Sequence, residues 1–89
     1  SSSQWTKLSR RVRREQPVCE DPLGIHRKAN EWIPSDEVHH IVPIMQDYSL
    51  RSNRENLAGL CKFCHQKIED MNRSGLATNH LFHTHSASK

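Results

Sequence analysis

Trp5, Leu8 and Val12 recur at three- and four-residue spacing and set an apolar stripe against a run of arginines, which predicts an amphipathic helix over residues 4–15. Pro17 closes it, and Gln16 before the proline is already pushed out of helical geometry. Residues 1–3 are serines with no pattern, read as disordered. The stretch "VCEDPLGIHRKANEWIP" follows, where Pro22, Gly24 and Pro34 break any period and predict a loop carrying one short strand or turn. From Glu37 to Val42 the β-favouring Val38, Ile41 and Val42 predict a first strand that Pro43 stops. A polar loop leads to Leu57–Leu60, "LAGL", a short apolar return strand running straight into Cys61.

Lys62 to about Arg73 reads as helix, with Phe63, Ile68 and Met71 as its apolar positions and Ser74-Gly75 as its stop. Residues 76–89 mix leucine, phenylalanine and histidine without a period and read as a flexible tail. The chain thus divides into a basic helix (1–16), a core (17–75) and a tail (76–89). It is an α+β arrangement of one domain with no internal repeat.

Composition changes that picture in one respect. Of the 89 residues only 34% are hydrophobic, too few for a core that would hold so short a chain unaided, so a disulfide or a structural metal is expected to reinforce it. The cysteines are Cys19, Cys61 and Cys64. Three thiols cannot complete a disulfide framework, and reduced, metal-binding cysteines fit an intracellular chain. No segment approaches the roughly 18 apolar residues that cross a bilayer, and the N-terminus has no apolar signal core, so the expected setting is cytoplasmic with no membrane partner.

Net charge is only +3, but its distribution is uneven: Lys7, Arg10, Arg11, Arg13 and Arg14 come with no acid until Glu15. Such a run is either a solvated helix face or a phosphate-binding surface.

Cys61-Lys62-Phe63-Cys64 is a C-x-x-C turn at a strand-to-helix junction, half of a common zinc site; a redox role would need a thioredoxin-like frame that the chain is too short to supply. Cys19 is the natural third ligand. His26 is the best available fourth, giving Cys3His, with Asp21 a weaker candidate. Against this stands a metal-free reading in which Cys19 is a buried thiol and His26 a loop histidine.

His65 follows Cys64 directly, and helix neighbours are turned by about 100°, so the two serve different sites. Glu69 lies one turn beyond His65 and can share a cation with it, or pair with Arg73 at the next i, i+4 position. In the predicted first strand, His39 and His40 stand side by side and point to opposite faces.

"EVHHIVP", "NLAGLC" and "CKFCHQKI", in this order over about residues 36–70, resemble the HNH endonuclease family. They are similar to its D/H-H-I-x-P, N-L-x-x-L-C and C-x-x-C-H-x-x-K-like elements, although the lysine, Lys67, stands one position earlier than often found. A basic helix ahead of "QPVCED" is similar to small phage-type members. The resemblance implies a ββα-metal fold, a hairpin packed on a helix around one divalent ion (Mg, Mn, Ni or Zn), beside a structural zinc held by Cys19, His26, Cys61 and Cys64. It makes His39, His65 and Glu69 ligands of the catalytic ion, His40 the general base, and Asn56 the residue that fixes the loop and orients that base.

The implied activity is metal-dependent hydrolysis of DNA phosphodiester bonds, with Arg10, Arg11, Arg13 and Arg14 on the DNA backbone. A bacterial or phage setting with terminase or packaging proteins as partners follows by the same analogy. Imidazole suits the base role, since at an unperturbed pKa of about 6.5 it is mostly unprotonated yet still basic near neutrality. The competing expectation is a noncatalytic zinc module that binds nucleic acid through the arginine helix.

Overall fold

In the computed structural model the described residues are 2–82 and 85. Helix α1 spans Ser2–Glu15, so the helix begins ahead of Gln4 and takes in two of the serines expected to be disordered. Val12 is its fully buried residue, and the helix packs across the two strands.

The chain then runs past the second strand: Glu20 N–H donates to the Gly59 carbonyl (3.0 Å), and Gly59 N–H donates to Gln16 Oε1 (3.1 Å). A Cβ on Gly59 would sit 3.1 Å from Ser35 Cβ and 3.2 Å from the Gln16 carbonyl oxygen, so this crossing needs a glycine. An isolated bridge pairs Val18 with Pro34, and between them lies a single helical turn, α2 (Ile25–Lys28), where a strand or turn was expected.

Strands β1 (Glu37–His40) and β2 (Leu57–Leu60) form an antiparallel hairpin with His39 opposite Ala58 and His40 opposite Leu57. β1 is two residues shorter than expected. Its ladder ends because Asn56 takes over: its carbonyl accepts from Ile41 N–H (2.9 Å) and its side-chain Oδ1 accepts from Val42 N–H (2.7 Å).

Helix α3 (Lys62–Arg73) follows with Cys61 as its N-cap, and Gly75 in left-handed geometry (φ 86°) ends it. Ile68 is in the core, but Phe63 is exposed; the C-x-x-C turn directs Cys61 and Cys64 inward and leaves the residue between them facing solvent.

The core gathers Cys19, Ile41, Ala58, Leu60, Cys61, Cys64, Ile68 and Phe82. Phe82 corrects the reading of 76–89 as a flexible tail. A short 3-10 turn, Asn79–Phe82, seats its ring in the core, fully buried, and Thr78 is buried with it. The segment lacks a period because one large side chain, not a repeating face, docks it. The remainder of that expected tail, residues 83, 84 and 86–89, lies outside the described residues. No helix among the described residues is long and apolar enough to cross a membrane.

Candidate active site

Two clusters of metal-ligating side chains flank the N-terminal end of α3, and the adjacent Cys64 and His65 belong to different ones. In the first, Cys19, His26, Cys61 and Cys64 are all buried with ligand atoms within 4.8 Å of one another. Cys61 Sγ accepts from Cys64 N–H at 3.4 Å, the usual contact of a helix N-cap. His26 Nε2 lies 3.2 Å from Cys61 Sγ and 3.4 Å from Cys64 Sγ.

Asp21, the alternative fourth ligand, is used otherwise: Oδ1 accepts from His26 N–H (3.1 Å) and Oδ2 from Arg27 N–H (2.9 Å), which sets α2 in place. Burial would raise the Asp21 pKa, but these two N–H groups and the nearby cations outweigh it and hold the carboxyl below its ordinary range. Burial pushes the Cys19 and Cys64 thiols up. At Cys61 burial acts the same way, yet the Cys64 N–H and the His26 imidazole outweigh it and bring this thiol down. Three sulfurs and one imidazole converging in a buried, tetrahedral-sized space suit zinc, whose charge would stabilise all three thiolates together.

The second cluster opens to solvent. His39 is 2% exposed, and neither ring nitrogen has a hydrogen-bond partner. Its ring stacks on Phe82 at 5.4 Å and meets the His65 ring edge-on at 5.4 Å. Burial, reinforced by His65 and His40, pushes its pKa down to about 3, so it stays neutral with its lone pair available. A buried imidazole left unsatisfied in this way fits a cation ligand.

His65 donates from Nδ1 to Glu37 Oε1 at 2.6 Å, and its Nε2 sits 3.2 Å from Glu69 Oε1. Glu69 Oε1 is also 3.6 Å from His39 Nδ1. The three donors lie within 4.8 Å of one another. The alternative use of Glu69 is not adopted, because Arg73 pairs with Asp70 at 2.8 Å.

Glu37 went unrecognised in the sequence. A carboxylate on one ring nitrogen fixes the tautomer and aims the other at a cation. Its signal was present: Glu37 and His39 are two apart on a strand and share a face.

His40 points the other way. With a proton on Nε2 it donates to the Arg51 carbonyl at 3.0 Å, which leaves Nδ1 free to accept one, and its ring stacks on Trp5 of α1 at 5.1 Å with an 18° interplanar angle. Asn56, fully buried, donates from Nδ2 to the Val42 carbonyl (3.1 Å) and the Leu50 carbonyl (3.2 Å) while Oδ1 holds Val42 N–H. It therefore ties the end of β1 to the peptide next to Arg51, the residue that holds His40. Both histidines of β1 line one cleft of about 460 Å³ with His65 and Glu69.

The arginines of α1 differ in how far they are already engaged. Arg11 pairs with Glu15 (3.0 Å), which also binds Arg54 (2.8 Å) and is thereby held below its ordinary pKa. Arg10 and Arg14 are exposed, Arg14 shares a face with both Arg10 and Arg11 by its four- and three-residue spacing, and the half-buried Arg13 donates from Nε to the Ser9 carbonyl at 3.4 Å.

A two-strand hairpin packed on one helix, with ligand clusters at that helix's start, is a ββα arrangement. Residues 17–71, more than half of the chain, match the HNH endonuclease family model, and the chain belongs to that family of nucleases. Its structure is similar to the crystal structure of the HNH endonuclease of the deep-sea thermophilic bacteriophage GVE2 with manganese ion. The TM-score is 0.66 at 25% identity, over 80% of this chain and 74% of that one. No curated protein matches the chain.

Proposed function

We propose that the chain is a metal-dependent DNA endonuclease in which His39, His65 and Glu69 hold one divalent cation and His40 is the general base. The observation that carries this reading is the pairing, in one cleft, of a buried, neutral His39 whose ring nitrogens have no hydrogen-bond partner with a His40 whose Nδ1 is left free. A divalent cation held by His39, His65 and Glu69 would supply Lewis-acid charge stabilisation to a phosphodiester under attack. His39 remains unprotonated because of its burial, so no proton competes for its lone pair. Glu37 keeps His65 Nε2 turned to the cleft. His40, braced by Trp5 and by the Arg51 carbonyl, takes the proton of the attacking water at Nδ1, a contribution of roughly 10²- to 10⁴-fold. Asn56 holds the loop that supplies that carbonyl.

The Cys19, His26, Cys61 and Cys64 set holds a structural zinc, and α1 serves as a basic arm in which Arg10, Arg13 and Arg14 meet backbone phosphates; Arg11 contributes less, because Glu15 already neutralises it. The phage source of the similar structure supports a phage or prophage setting in a bacterial cytoplasm, with packaging proteins directing the cut. The reading of a noncatalytic zinc module explains the cysteine cluster but leaves the second cluster without a use.

A supercoiled plasmid incubated with each of several divalent metals tests the activity. Wild type should nick or linearise it only when metal is added, and His40→Ala should lose cutting while still binding metal and DNA. Cutting retained by His40→Ala would remove His40 from the base role.

A further inference from the structure

His40 lines a second cleft as well, of about 530 Å³, on the α1 side of the site, together with Trp5, Ile44, Tyr48 and Arg51. Ile44 lines both clefts, so the start of the loop after β1 forms the ridge between them. The ridge is open to water, and the cleft beside it is mixed, with Gln4, Arg51 and Ser52 lining it next to the hydrophobic side chains. Met45 is 98% exposed, Tyr48 62% and Ile44 41%. The Arg51 guanidinium lies 4.0 Å over the Tyr48 ring, which makes a flat cationic and aromatic face beside the base histidine.

Gln4, Arg51 and Ser52 can meet phosphate, but exposed methionine, isoleucine and tyrosine add nothing to such a contact. Exposed apolar patches of this kind mark binding sites. His40 and Ile44 line both clefts, so a substrate that reaches His40 also meets the ridge. The apolar parts of a nucleic acid are its base faces, and these become available when a nucleotide is unstacked. Wedges of isoleucine and methionine are a known means of unstacking, and aromatic or arginine faces are the usual platforms for an unstacked base.

Resting on the nuclease reading above, the geometry points to a nucleotide subsite: the Trp5, Tyr48 and Arg51 cleft receives the base next to the scissile phosphate, with Ile44 and Met45 as the wedge. The preferred substrate is DNA whose bases are already unstacked, as in a mispaired bubble or a single strand. In intact duplex the enzyme must open a step first.

Three labelled substrates of matched length test this with added manganese: a duplex, the same duplex with a mispaired bubble, and a strand of base-free tetrahydrofuran nucleotides. Wild type should cut the bubble about tenfold faster than the duplex, the scale of one base stacked on an aromatic ring. Tyr48→Ala should lose that gain, Tyr48→Phe should keep it, and wild type and Tyr48→Ala should cut the base-free strand equally. With no divalent metal added, 2-aminopurine in the bubble should be quenched on binding wild type and not on binding Tyr48→Ala.

Equal rates on bubble and duplex would overturn the subsite. So would a Tyr48→Ala defect on the base-free strand, which would make Tyr48 structural. Tyr48→Ala behaving as wild type throughout would overturn it too and turn the ridge over to a protein partner. Absence of cutting on every substrate would overturn the nuclease reading instead, and the quenching would still decide whether the base is bound.

Discussion

The two clusters at the start of α3 use neighbouring residues, Cys64 and His65, for different physical ends. Around Cys64 every candidate ligand is buried, the donors are three sulfurs and one imidazole, and they come from the stretch after α1, from α2 and from the start of α3, so an ion there would join these three. Around His65 only His39 is buried, Glu69 is open to the cleft, and the ligands come from β1 and α3, which already pack through the core. A closed cluster can only hold the chain together, whereas an open one leaves coordination positions to a substrate. On the proposed reading, separating these tasks would let the open site lose or exchange a cation without unfolding a small domain with a modest core.

The separation is broken most strongly from the structural side. Cys64→Ser should remove zinc and with it most tertiary structure, because zinc binding of roughly 10–16 kcal/mol is folding energy in small zinc modules. Near-UV circular dichroism and metal analysis would register the loss. A variant that remained folded without zinc would mean that the core suffices alone.

A smaller effect is expected from His39 itself. Its folded pKa of about 3 lies below the 6.5 of the free side chain, so only the unfolded chain takes up its proton as pH falls. The contribution is intact above pH 6.5 and is lost at about 1.4 kcal/mol per pH unit on descending from there toward 3. Urea titrations of zinc-loaded protein between pH 7 and 5, without added manganese, should show this slope, and His39→Gln should flatten it. Parallel slopes would mean that His39 is accessible to protons in the folded protein.

Smaller still, Glu37→Gln should weaken divalent-metal affinity or activity by roughly 10- to 100-fold with no loss of zinc, since it disturbs the aim of His65 and nothing in the closed cluster. Unchanged manganese affinity would reduce the 2.6 Å contact to a surface ion pair.

Much of this site is legible in the residue order because helix geometry is short-range. Cys61 and Cys64 must share a face at the helix start, His65 must leave it, and Glu69 must follow His65. His39 and His40 are separated by strand alternation alone. What stayed hidden depends on contacts far apart in sequence. Asp21, a weaker candidate ligand in the sequence, is set aside by a nearer contact, its carboxylate accepting from the His26 and Arg27 N–H groups. Phe82 stacks on His39 from a segment without any period, 43 residues away. Trp5 reads as one member of a helix stripe, and its stacking on His40 follows from how α1 crosses the hairpin. β1 ends two residues before the β-propensity of Ile41 and Val42 would suggest, because Asn56 takes both N–H groups, Ile41's on its backbone carbonyl and Val42's on its side-chain oxygen.

Calorimetric titration of manganese into zinc-loaded protein, wild type beside His39→Ala, tests most directly whether the two clusters are separate and whether the open one is the cation site. Wild type should bind one manganese ion with its zinc retained. His39→Ala should bind none while keeping its zinc and its circular dichroism spectrum. Undiminished manganese binding by a folded, zinc-loaded His39→Ala protein would contradict the account.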